Sequence, residues 1–139
     1  MNTLMRAATA LATIVVLCNL GCGVRSSPLV TKADFGNVTN GMFDPASYDM
    51  MGGGSSEGGD DLEFTSIYIP KDPDAELHFD FTPWDKFLKK KETFTSYGKG
   101  GSPGLYWRQT WSNRNRHIVI DAVAIKDGSV LVTYCEILR

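Results

Sequence analysis

His117-Ile-Val-Ile-Asp-Ala-Val-Ala-Ile125, Lys126-Asp127-Gly128-Ser129 and Val130-Leu-Val-Thr-Tyr-Cys-Glu-Ile-Leu138 close the chain. Two apolar, β-branched runs around Asp127-Gly128 are the strongest short-range signal for a β-hairpin, because a two-residue type I′ turn needs φ > 0 at both central positions. A turn there sets a register: Ile125 opposite Val130, Ala124 opposite Leu131, Ala122 opposite Thr133, Ile120 opposite Cys135 and Ile118 opposite Ile137. The face made of Ile118, Ile120, Ala122, Ala124, Leu131, Thr133, Cys135 and Ile137 is then apolar but for a hydroxyl. Such a ribbon must pack on something, at roughly 1.5–3 kcal/mol per large side chain buried. Glu136 falls on the other face, near the open end, and reads as a surface group.

Working back from the hairpin, Ser112 to Arg116 is loop chemistry, and Leu105 to Trp111 alternates as a strand does. Glu92 to Tyr97 is β-prone, and Gly98 to Gly104 reads as a loop. Thr82-Pro83-Trp84-Asp85 opens a short helix running to Lys91, with threonine as cap and proline at the first helical position. Lys89, Lys90 and Lys91 would end it, where cations complement the helix dipole. Ala75 to Phe81 alternates Leu77, Phe79 and Phe81 against Glu76, His78 and Asp80, and Glu63 to Ile69 ends at Pro70; both suit strands. The fold class is therefore mainly β: a small antiparallel β-sandwich or barrel of about six strands with a short helix. A two-layer α+β arrangement is the alternative.

At the other end, Met1 to Arg6 carries a positive charge, and Ala7 to Cys18 is uncharged and shorter than the ~20 residues that span a bilayer. That order is the pattern of an export signal. Asn19-Leu20-Gly21-Cys22 follows. On these residues the chain resembles a bacterial lipoprotein precursor, whose lipobox ends in a small residue and then the cysteine that receives diacylglycerol. Gly21 and Cys22 match the two most restrictive positions; Asn19 departs from the leucine usual there. The resemblance covers about the first 22 residues. It implies acylation of Cys22, export, and anchoring in a cell-envelope membrane through the lipid. A secreted or periplasmic soluble protein is the alternative.

The domain plan that follows is a signal peptide over 1–21, a flexible lipid-anchored tether over 22–61, and a single β-rich domain over 62–139. The tether is expected because its Gly, Ser and acidic residues bury too little apolar surface to offset chain entropy. With Cys18 in the signal and Cys22 acylated, Cys135 has no cysteine left to pair with. On the apolar hairpin face it would behave as a small hydrophobe.

Charge is uneven along the chain. Cys22 to Glu63 holds two basic and seven acidic residues, whereas Lys86 to Arg116 holds eight basic and one acidic. The basic stretch is expected as a solvated face, and no nucleic-acid partner is expected. No spacing of His, Cys, Asp or Glu suits a metal. His78 with Asp80, and His117 with Asp121, lack a nucleophile beside the base. No catalytic residue, metal or cofactor is therefore assigned, and the chain is not expected to be an enzyme. The residues singled out for ligand contact are Trp107, Trp111, Tyr106 and Arg108, because rings at this spacing could stack on sugars. The competing reading places both tryptophans in the core. The expected function is a structural or protein-binding module anchored in the envelope, its partner an envelope protein. A carbohydrate-contacting module facing polysaccharide is the alternative.

Overall fold

The computed structural model describes residues 27–58, 61–100, 106–125 and 127–139. The elements in chain order are α1 (Lys32–Asn40), β1 (Tyr48–Gly58), β2 (Asp61–Pro70), α2 (Thr82–Lys91), β3 (Thr95–Gly100), β4 (Tyr106–Ser112), β5 (Arg116–Ala124) and β6 (Val130–Leu138). The strands form a single six-stranded sheet in the order β1-β2-β6-β5-β4-β3, with every neighbouring pair antiparallel. The fold is mainly β with six strands, as expected, but the sheet is open rather than a barrel or sandwich. The helices supply the second layer that a sandwich would have taken from another sheet.

The β5–β6 hairpin is present, with its register moved by one residue. Ile120 pairs with Tyr134, Ile118 with Glu136 and Ala122 with Val132. The cause lies in the turn. Ile125 N–H bonds the Ser129 carbonyl (2.7 Å) and Gly128 N–H bonds the Ile125 carbonyl (3.0 Å). This closes the hairpin with a residue more than the two-residue turn the Asp-Gly pair suggests. Gly128 takes φ > 0, at 84°, and no non-glycine residue does so among the described residues; three-residue hairpin loops commonly end on such a left-handed glycine. A one-residue slip exchanges the faces of a strand. On β5 the expected face is buried: Ile118, Ile120 and Ala122. On β6 it is the opposite one: Val130, Val132, Tyr134 and Glu136 are buried, while Cys135 is half-buried on the other side.

The stretch expected as a tether is not one over its described part, residues 27–58. Thr31 caps α1 through a reciprocal pair, its hydroxyl accepting from Asp34 N–H while the Asp34 carboxylate accepts from Thr31 N–H (3.1 Å each). Val30 before the cap and Phe35 in the first turn are both buried. Phe35 stacks on Phe64 of β2 (centroids 5.4 Å apart), and Trp84 of α2 stacks on Tyr134 of β6 (5.3 Å). Farther along, Phe43 stacks on Tyr68 at 4.0 Å. These rings fill the space between helices and sheet.

β1 is a glycine-rich edge strand with a bulge between Met50 and Gly52. A Cβ on Gly53 would lie 2.6 Å from the Thr65 carbonyl, so glycine is what allows β1 this close to β2. The strand expected over 75–81 is absent, although its alternation is real. Leu77, Phe79 and Phe81 pack against the core while His78 and Asp80 are exposed. The segment lies over the core; His78 N–H bonds the Tyr48 hydroxyl (3.1 Å) and Asp80 N–H the Met42 carbonyl (3.1 Å). α2 also begins differently: Phe81 is its N-cap, and Thr82 donates instead to Asp80 (2.7 Å).

Candidate functional site

The ligand-contact residues expected from the sequence do not form one site. Trp107 and Trp111 lie on the helix-covered face of β4, opposite Ala122 and Ile118. Trp111 is fully buried and its Nε1–H donates to Asp85 Oδ1 (3.0 Å), while Trp107 packs edge-on against Phe79. Tyr106 and Arg108 point to the opposite, uncovered face. Both are held by Asp121: the Tyr106 hydroxyl donates to Oδ1 (3.0 Å), and the Arg108 guanidinium donates to both oxygens (2.7 and 2.9 Å). Trp111 is thus part of the core, and Trp107 is half-buried against its edge. Cys22, the expected lipidation site, and the 1–21 signal lie outside the described residues.

Three features remain that could engage something. The first is a cleft of about 420 Å³ between the 79–82 segment, the start of α2 and strands β3 and β4, lined by Phe79, Asp80, Phe81, Asp85, Ser96 and Gln109. Hydrogen bonds from Thr82 hold the Asp80 carboxyl below its ordinary range, and the one from Trp111 does the same for Asp85 against the opposing effect of burial. Both are ionised at neutral pH. Asp85 is met by Lys89 (3.0 Å). The cleft offers acceptors and ring edges, so it suits a ligand rich in hydrogen-bond donors.

The second is the uncovered sheet face. Ile67, Leu131, Val123 and Tyr106 are successive partners across β2, β6, β5 and β4, which makes an apolar row four strands wide. Beside it run Thr65, Thr133, Asp121 and Arg108, a polar row in the same register. Ile67, Ile137 and Tyr97 are exposed. This face also carries His117, whose Nδ1 is 3.3 Å from Ser112 Oγ. Burial, with Arg139 and Arg108 nearby, pushes the His117 pKa down. Asp121, the carboxylate farther along β5, is taken by Tyr106 and Arg108. The Cys135 thiol is pushed up by burial and by the Asp61 and Glu63 carboxylates, which opposes nucleophilic behaviour.

The third is a buried polar cluster whose members lie far apart along the chain. Glu136, fully buried, accepts from Arg116 Nη1 (2.6 Å), from the Tyr134 hydroxyl (2.7 Å) and from the Leu29 backbone N–H (2.9 Å). Arg116 also donates to Glu92 (2.8 and 3.1 Å) and to the Ser27 carbonyl (2.8 Å). Burial alone would lower the Arg116 pKa, but the bonds to Glu136 and Glu92 outweigh it and hold the guanidinium above its ordinary value. Asn113 ties the loop before β5 into the same cluster through Glu92 (2.7 Å). The cluster clasps residues 27–29 to the ends of β5 and β6.

Among the described residues no group of three His, Cys, Asp or Glu could hold a metal. No helix among them is long and apolar enough to cross a membrane. Comparison of the chain with protein-family models, with curated proteins and with solved structures finds no match.

Proposed function

We propose that this chain is a lipid-anchored protein of the cell envelope, acylated on Cys22, that acts as a non-catalytic binding module. The observation that carries the reading is the position of the clasp. Ser27, the first described residue and five after Cys22, is already docked through its carbonyl on Arg116. Cleavage between Gly21 and Cys22 keeps Ser27, Leu29 and Val30 in the mature protein. A cut a few residues downstream, as in a plain secretory precursor, would fall at or inside the docked segment.

The uncovered sheet face is the surface offered to a protein partner, because its apolar row lies open where an antiparallel sheet commonly turns polar groups to water. A second reading is favoured by the cleft: Phe79 and Phe81 beside Asp80 and Gln109 would accept the hydroxyls of a polysaccharide. The non-catalytic reading is supported by the Ser112–His117 pair, whose neighbouring carboxylate is engaged elsewhere, and by the raised Cys135 thiol pKa. The test of anchoring is Cys22→Ser. The native protein is expected in the detergent phase on partitioning, and the variant in the aqueous phase or unprocessed. Unchanged partitioning would refute the anchor.

A further inference from the structure

We propose that the end of the domain surrounding the docked N-terminus, which presents Lys90, Lys91, Arg114 and Arg139, lies against an anionic lipid surface. The inference rests on acylation of Cys22 and adds an orientation to it.

Two independent observations meet at this end. The first is reach. Five residue steps separate Cys22 from the clasped Ser27, and an extended chain covers at most about 3.6 Å per residue, roughly 18 Å in all. A domain tied at Ser27 to an acylated Cys22 cannot withdraw farther than that from the lipid. It is held by a short strap, not by the 40-residue tether expected over 22–61.

The second is charge. Ser27 is bound by Arg116 at the start of β5. Glu92, directly after α2, meets the same guanidinium, which brings Lys90 and Lys91 to this rim. Arg114 lies in the loop before β5, and the Arg139 N–H bonds the Asn115 carbonyl in that loop. Lys90, Lys91, Arg114 and Arg139 are exposed and form no ion pair among the described residues. The nearby carboxylates are engaged: Glu92 and Glu136 by Arg116, Asp85 by Lys89, and Asp34 in the cap of α1. Asp61 and Glu63, both exposed at the start of β2, are the exceptions among the described residues. At the far end, where Gly128 approaches Pro70 and Pro73, the exposed groups include Asp72, Asp74 and Asp127 against Lys71, which is itself paired with Asp49 (3.7 Å). The molecule is therefore polarised along its strands, with the positive end where the chain leaves toward Cys22. Each Lys or Arg held near an anionic surface strengthens association about fivefold, and the effect fades over a Debye length of about 8 Å at physiological salt. The strap keeps the rim within a few such lengths.

The experiment uses the full acylated protein in a Cys135→Ser background, reconstituted in phosphatidylcholine vesicles with or without phosphatidylglycerol. A fluorophore is placed at Lys90→Cys or, at the far end, at Asp74→Cys, and quenched by headgroup-labelled lipid. With anionic vesicles the probe at 90 is expected to be quenched severalfold more than the probe at 74. Adding Lys91→Glu, Arg114→Glu and Arg139→Glu should remove the difference while the protein still floats with the vesicles. Equal quenching at both positions, or a difference that survives charge reversal, would overturn the orientation and leave the anchor standing. Failure of the unsubstituted protein to float would overturn the anchor, and the orientation with it.

Discussion

Removing the Glu136 carboxylate leaves Arg116 buried with part of its bonding taken away. Arg116 keeps Glu92, but the Tyr134 hydroxyl and the Leu29 N–H lose their acceptor. Breaking a buried pair from one side costs about 3–5 kcal/mol, so Glu136→Ala should lose that much in urea unfolding; a loss below about 0.5 kcal/mol would contradict the clasp. The tyrosines supply a pH test. Burial pushes Tyr68 up to about 12, against a weaker opposing bond with Ser66, and burial together with Glu136 pushes Tyr134 in the same direction. In an unfolded chain tyrosine ionises near pH 10. Between about pH 10 and 12 the unfolded state has therefore lost a proton the native state keeps. Stability is intact below that window and falls as pH rises through it. Tyr68→Phe should flatten the alkaline fall in melting temperature; an unchanged slope would show that Tyr68 titrates normally in the native protein.

At the scale of elements, the β5–β6 hairpin separates what was legible from what was not. Its existence, Gly128 at φ > 0 and the buried face of β5 follow from local pattern. The buried face of β6 does not, because Val130, Val132 and Tyr134 are as apolar as Leu131, Cys135 and Ile137. The two-residue turn expected at Asp127-Gly128 set the wrong side, and Glu136 gave no warning, since its partners are Arg116, Tyr134 and Leu29 and the pairing of a carboxylate with a residue 107 positions away leaves no local trace. The α1 helix did leave one, in Thr31 and Asp34 at capping-box spacing with Val30 and Phe35 around it. Glycine content in the β1 stretch hid it by suggesting disorder throughout. The pair Trp107 and Trp111 was legible as core; Tyr106 and Arg108 had to part from them because neighbours in a strand face opposite ways. Two outcomes follow for the sheet. Gly128→Val should cost roughly 1–2 kcal/mol from the left-handed position. Cys135, half-buried on the uncovered face, should react with a thiol reagent in the native state, at a rate still climbing above pH 9, its ordinary value. Labelling that occurs only through global unfolding would restore the other register.

At the scale of the whole molecule, the helix layer, the sheet and residues 27–30 form a connected structure rather than a domain on a leash. Phe35 and Trp84 bring both helices onto Tyr134, which in turn donates to Glu136. The clasp thus links the start of the described chain to the middle of the core, on the helix-covered side of the sheet. Amide hydrogen exchange at Leu29, in the full-length protein, tests this most directly. Its N–H, bonded to the buried Glu136 carboxylate, should exchange as slowly as the central amides of β5 and β6, and should speed up by orders of magnitude in Arg116→Ala. Exchange at the rate of an exposed loop amide in the native protein would contradict the account, and would return residues 27–30 to the tether.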